Sequence, residues 1–130
     1  MIMNEIKIKY IIGPFKADPI RFTNQAIELS RKLVGQSYDE PVSVLSIHPG
    51  LLSGAYGDDT NEDERANGMV HTGNLLEYIA QQKQNELWII GSAQEIFQSR
   101  GTQAEIYKWV ETRKEYWPMN IFYWHIEEEK

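Results

Sequence analysis

Ile6-Lys7-Ile8-Lys9-Tyr10-Ile11-Ile12-Gly13-Pro14 is the stretch on which the fold turns. Ile6, Ile8, Tyr10 and Ile12 recur at a spacing of two, with lysines between the first of them, and Ile11 then fills the opposite face. Alternation that passes into a continuous apolar run predicts a strand over Ile6–Ile12 whose later end is buried on both sides. Gly13-Pro14 ends it.

The segments that follow keep the same grammar. Asp18-Pro19 supplies an N-cap and a proline at the first helical position. Phe22, Ala26, Leu29 and Leu33 then lie on one face of a helix that Gly35 can close. A strand is expected over Val42–Ile47 and stops at His48-Pro49-Gly50. His48 to Gly68 is glycine-rich and acidic without periodicity, and is expected to be a long loop. Met69–Gln82 is expected to be helical, with Leu75, Leu76 and Ile79 inward. Leu87–Ile90 is a short apolar strand ended by Gly91-Ser92. A helix over Gly101–Lys114, with Ile106, Trp109 and Val110 inward, and a strand over Met119–Ile126 complete the chain. Strands alternating with helices predict an α/β fold, a small doubly wound parallel sheet of four to five strands, flavodoxin- or Rossmann-like, with helices on both faces. One domain over residues 1–130 is expected, because no repeat or linker divides the chain.

Composition narrows the functions. A chain of 130 residues with 42% hydrophobic and 12% aromatic content is long enough to bury a core. With no cysteine, thiol catalysis, disulfides and Cys-ligated zinc are excluded. Net charge −6 argues against nucleic-acid binding through phosphate neutralisation. No apolar run approaches the ~20 residues of a membrane span, and Met1–Ile12 lacks the pattern of a signal peptide, so a cytoplasmic location is expected. Asp59-x-Asn61-x-Asp63 starts like a calcium loop, but Glu64 stands where glycine is needed and Val70 where glutamate is. Three dispersed histidines without a metal-binding spacing predict no zinc site, and no cofactor is expected.

In parallel sheets of this kind ligands bind beyond the carboxyl ends of the strands. The residues expected there are Gly13, Pro14, Phe15 and Lys16, then His48, then Gly91, and the segment Ser99-Arg100-Gly101-Thr102-Gln103-Ala104-Glu105. Neither a Gly-x-Gly-x-x-Gly turn nor a P-loop is present. Tyr10-Ile11-Ile12-Gly13-Pro14-Phe15, together with Ser99-x-Gly101-Thr102-x-x-Glu105-Ile106, resembles the nucleoside 2-deoxyribosyltransferase superfamily, which includes the deoxynucleoside 5′-monophosphate N-glycosidases. In element order the resemblance spans most of the chain, but only these two motifs are specific.

The resemblance implies that Glu105 is the nucleophile, that Ser99 meets a phosphate, and that Gly13, Phe15 and Lys16 surround sugar and base. It implies a small-molecule nucleoside or nucleotide as substrate and a homo-oligomer, dimer or tetramer. The family's acid near the start of the preceding helix aligns best with Asn74, with Glu77 nearby, a departure that leaves a non-catalytic nucleotide-binding protein as the alternative. Simpler explanations stand beside these. Thr102-x-x-Glu105 also spells a capping box, which would aim Glu105 back at its own helix start. Lys16 and Arg21, candidates to meet a phosphate at the rim, are equally solvated cations; His48, a candidate to touch base or sugar, stands in a segment that is equally a turn; and His71 and His125 carry no motif. Trp88, Trp109, Trp117 and Trp124 are expected in the core or at a subunit interface. Tyr56 is placed to close over a base if its loop moves.

Overall fold

The computed structural model describes residues 6–36, 43–47 and 62–125. The elements are β1 (Ile6–Ile12), α1 (Pro19–Gln36), β2 (Ser43–Ile47), α2 (Glu62–Ala80), β3 (Glu86–Ile90), a short α3 (Ala93–Gln98), α4 (Arg100–Arg113) and β4 (Ile121–Trp124). They form an α/β protein around a small open parallel sheet in the order β2-β1-β3-β4.

Side-chain alternation along β1 and β3 gives the sheet two apolar faces. Tyr10, Ile12, Leu87 and Ile89 join Leu76, Ile79 and Ala80 of α2, Ile96 of α3 and Trp109 of α4 in one cluster. Ile11 and Ile90 point the other way and join Phe22, Ala26, Leu29 and Leu33 of α1. These α1 residues follow the 4-3-4 spacing seen in the sequence, and each is buried. Fully burying a side chain of this size is worth roughly 1.5–3 kcal/mol. At the helix start, Asp18 Oδ1 accepts from Arg21 N at 3.2 Å. Proline follows at the one position where a missing N–H costs nothing.

Four expectations are corrected. Residues 62–68, expected to be loop, are the first turns of α2; residues 48–61, with His48 and Tyr56, lie outside the described residues. Gly35 does not close α1, which continues through Gln36. α3 is a helix beyond those expected, and it opens on a capping box: Ser92 Oγ accepts from Glu95 N, and Glu95 Oε1 accepts from Ser92 N. Val110, expected to face inward, is only half-buried.

Buried polar groups tie the lower edge of the sheet. Asn85 Oδ1 accepts from Ile8 N and its Nδ2 donates to Ile79 O, each at 2.9 Å, so one side chain joins β1, the end of α2 and the start of β3. At the upper edge β1 and β3 touch. A Cβ at Gly13 would lie 2.5 Å from Ile90 Cγ1 and 3.2 Å from Ile90 O. Ile90 is wholly buried, so it has little freedom to give way. Gly13→Ala is expected to cost about 1–3 kcal/mol, read from the urea midpoint at unchanged slope.

Candidate functional site

The carboxyl ends of β1 and β3 adjoin because both turn on glycine. Gly91 has φ +109, a conformation that disfavours other residues, and a Cβ there would press on Pro14 Cδ at 3.3 Å and lie in ordinary contact with Phe22 Cε1 at 3.5 Å. Gly13, Pro14, Phe15 and Gly91 are thus brought together over Phe22, whose ring meets Phe15 edge-on at 6.3 Å. Lys16 follows on the exposed turn.

Arg21 from the first turn of α1 and Glu95 from the first turn of α3 form an ion pair beside this junction. The Arg21 guanidinium lies 4.4 Å from the Phe22 ring centroid and 3.8 Å from Asp18 Oδ2. Burial pushes the Glu95 carboxyl up, but hydrogen bonds from Ser92 and the charge of Arg21 outweigh it and leave its pKa below 4.5. The sequence pointed to Arg21 only as a cation for phosphate and not at all to Glu95. Ser92-x-x-Glu95 was the available signal for the helix start, but nothing local indicates that its carboxylate meets Arg21, 74 residues away.

Ser99, Gly101, Thr102 and Glu105 share the opening turns of α4. Ser99 is the N-cap: its Oγ accepts from Thr102 N at 3.3 Å and lies 2.8 Å from Thr102 Oγ1. The Thr102–Glu105 capping box is therefore not formed. Glu105 stands in the second turn, half-buried, between the inward row of Thr102, Ile106 and Trp109 and the side facing α2. Helical side chains lean toward the helix start, and the row above Glu105 is Gly101, where a Cβ would meet nothing within 4 Å.

Among the described residues Glu105 makes no hydrogen bond or ion pair. The other partly buried carboxylates do: Glu86 meets Lys7, Lys9 and Trp88, and Glu95 meets Arg21 and Ser92. Burial without a partner raises the Glu105 pKa from 4.5 to about 7. A helix start favours the ionised form of a carboxylate. One turn further along, desolvation prevails over a dipole effect confined to the first turn.

Asn74 is not an acid, and Glu77 is engaged by a lysine. Both are exposed on α2, and Glu77 pairs with Lys108 of α4 at 3.6 Å, in an open groove with Ala104, Tyr107, Glu111 and Thr112. Among the described residues no cluster of His, Asp and Glu could hold a metal ion, and no helix is long and apolar enough to cross a membrane. No family model, curated protein or solved structure matches the chain.

Proposed function

We propose that the chain is a nucleoside or nucleotide N-glycosidase, or a 2-deoxyribosyltransferase-like enzyme, with Glu105 as nucleophile. The observation that carries this reading is the state of Glu105: a half-buried carboxylate that does not cap its helix and makes no hydrogen bond or ion pair among the described residues. A carboxylate oxygen attacks the anomeric carbon of the deoxyribosyl group, and the C–N bond breaks with its electron pair going to the base, which takes up a proton from solvent. Water then cleaves the glycosyl ester to give free sugar, or a second base takes the sugar. Gly13, Pro14, Phe15 and Gly91 are assigned to the ligand's surroundings. The doubly wound, flavodoxin-like arrangement belongs to the same proposal. The strand order supports it, and in such an arrangement the ligand would sit beyond the carboxyl ends of β1 and β3, the adjacent strands whose connections run to opposite sides. A cytoplasmic, self-associating protein completes the reading.

One observation favours a second reading, a nucleotide-binding protein without catalysis. Asn74 is not an acid and Glu77 is engaged by Lys108, so the proton for the leaving base has no assigned donor. The test is incubation with deoxynucleosides and their 5′-monophosphates, following free base by chromatography. Base release by the wild type and its loss in Glu105→Gln establish the enzyme. Binding without turnover in either protein establishes the second reading. Because attack requires the ionised form, release is expected to increase tenfold per pH unit below about 7 and to level off above it. A rate that is flat from pH 5 to 8 would remove Glu105 from the nucleophile's role.

A further inference from the structure

We propose that β4 is a self-association edge, on which two copies of this chain pair antiparallel across a twofold axis and join their sheets. The proposal names a surface for the self-association in that reading, but its observations lie on β4 and do not depend on the assignment of Glu105. Natural edge strands are guarded by charge, proline or bulges. Ile121-Phe122-Tyr123-Trp124 has none of these, and Tyr116 to Ile126 contains no Asp, Glu, Lys or Arg in a chain that is 25% charged. Two copies carrying net charge −6 can therefore meet along this strand without opposing like charges.

The strand exposes aromatic surface on both of its faces. Register pairs Trp88 with Phe122 and Ile90 with Trp124, which puts Phe122 and Trp124 on the α1 side of the sheet. There Trp88 and Phe122 stack at 4.8 Å. α1 packs against β2 and β3, leaving Phe122 39% exposed, while Tyr123 on the opposite face is 64% exposed. Tyr116 and Trp117, which lead into the strand, are 73% and 37% exposed. At ~150–250 Å² per aromatic side chain these four present roughly 400 Å², about half of what one partner contributes to a stable interface of standard size. Neighbouring residues and the strand's own backbone edge are there to supply the rest.

Backbone geometry selects the occupant and the register. Leu87 N donates to Asn120 O at 2.9 Å, so in this parallel ladder Asn120, Phe122 and Trp124 turn their backbone groups toward β3. Ile121 and Tyr123 turn theirs outward. A twofold axis at Tyr123 lets the two Tyr123 residues exchange both hydrogen bonds and sets Phe122 of each copy opposite Trp124 of the other. A register centred on Phe122 would bring in Asn120, whose φ of +50 is not a strand conformation. The edge is thus complementary to itself, as a twofold interface requires.

The test is sedimentation equilibrium of the full chain across micromolar to submillimolar concentration, with Tyr123→Pro and Tyr123→Lys. Proline removes an outward N–H that β3 does not use, so the subunit fold is expected to survive, as circular dichroism will report. Lysine keeps that N–H and places like charges opposite each other at the axis. The expected result is a wild type of twice the 15.2 kDa chain mass and variants that sediment as monomers with unchanged spectra. A wild type that stays monomeric throughout, or variants that keep the wild-type mass, would overturn the proposal.

Discussion

Glu105→Gln is expected to abolish base release, by on the order of 10³-fold or more, while making the fold more stable at pH 8. The two effects have one cause. In the folded chain burial without a partner holds the Glu105 proton up to about pH 7, whereas the unfolded chain releases it near 4.5. Between these values the folded state binds more protons than the unfolded state, so stability is highest below 4.5 and falls as pH rises toward 7. Above 7 the whole loss is present. Glutamine never ionises and escapes it, so the variant gains roughly 1–2 kcal/mol at pH 8, a figure reduced for the group's partial exposure. At pH 4 the two proteins should melt together, and at pH 8 the variant should melt a few degrees higher. A nucleophile held at a cost to stability is the usual exchange at an active site. If Glu105→Gln lowers the melting temperature equally at both pH values, Glu105 is a packing residue and loses its catalytic assignment.

Arg113→Met is expected to destabilise the fold by ~3–5 kcal/mol, a large share of the 5–15 kcal/mol available to a domain. The Arg113 side chain is wholly buried. Its Nη1 donates to Ala80 O and Gln82 O, each at 3.0 Å, its Nη2 to Lys83 O at 2.9 Å, and its Nε to Pro118 O at 2.7 Å. Ala80 ends α2, so the guanidinium satisfies carbonyls that a helix terminus leaves over and sets positive charge at the negative end of the helix. Trp109 packs beside it, 5.0 Å from ring centroid to guanidinium carbon, and donates its indole N–H to Met119 O at 2.7 Å. Methionine fills a similar volume but donates nothing, so four bonds are lost; Gln82 O and Lys83 O keep Asn85 N and Asn120 Nδ2, while the buried Ala80 O loses its donor. Arg113→Lys should fall between the two, since an ammonium group cannot reproduce the planar fork. Urea midpoints of the three proteins decide it, and a midpoint for Arg113→Met close to wild type would show that the carbonyls find other donors.

Much of the fold could be read from neighbours in the chain. β1 alternates and then runs apolar because its later end lies between two helical layers, and Phe22, Ala26, Leu29 and Leu33 mark the face of α1 that covers one of them. Those signals are local, since a period of two or of 3.6 needs no knowledge of the partner. The start of α2 escaped because residues 62–68 are acidic and polar and show no apolar stripe. The site was legible only as a set of residues. Gly13, Gly91 and Glu105 could be named from turn and helix signals, but the role of Ser99 as the cap, which frees Glu105 from that role, needed geometry.

The sequence by itself determined which segments are strands, which face of α1 is buried, and that thiol chemistry is closed to this protein, because each depends on residue type and short-range spacing. Only the tertiary structure decided that Arg21 meets Glu95, that Arg113 gathers carbonyls from the end of α2, the turn after it and Pro118, and that Asn85 ties Ile8 to Ile79. It also decided that Glu105 is half-buried and, among the described residues, without a partner. Hydrogen bonds and dielectric environment depend on which groups meet across tens of residues, and a carboxylate's protonation is set by that surrounding space rather than by its neighbours in the chain.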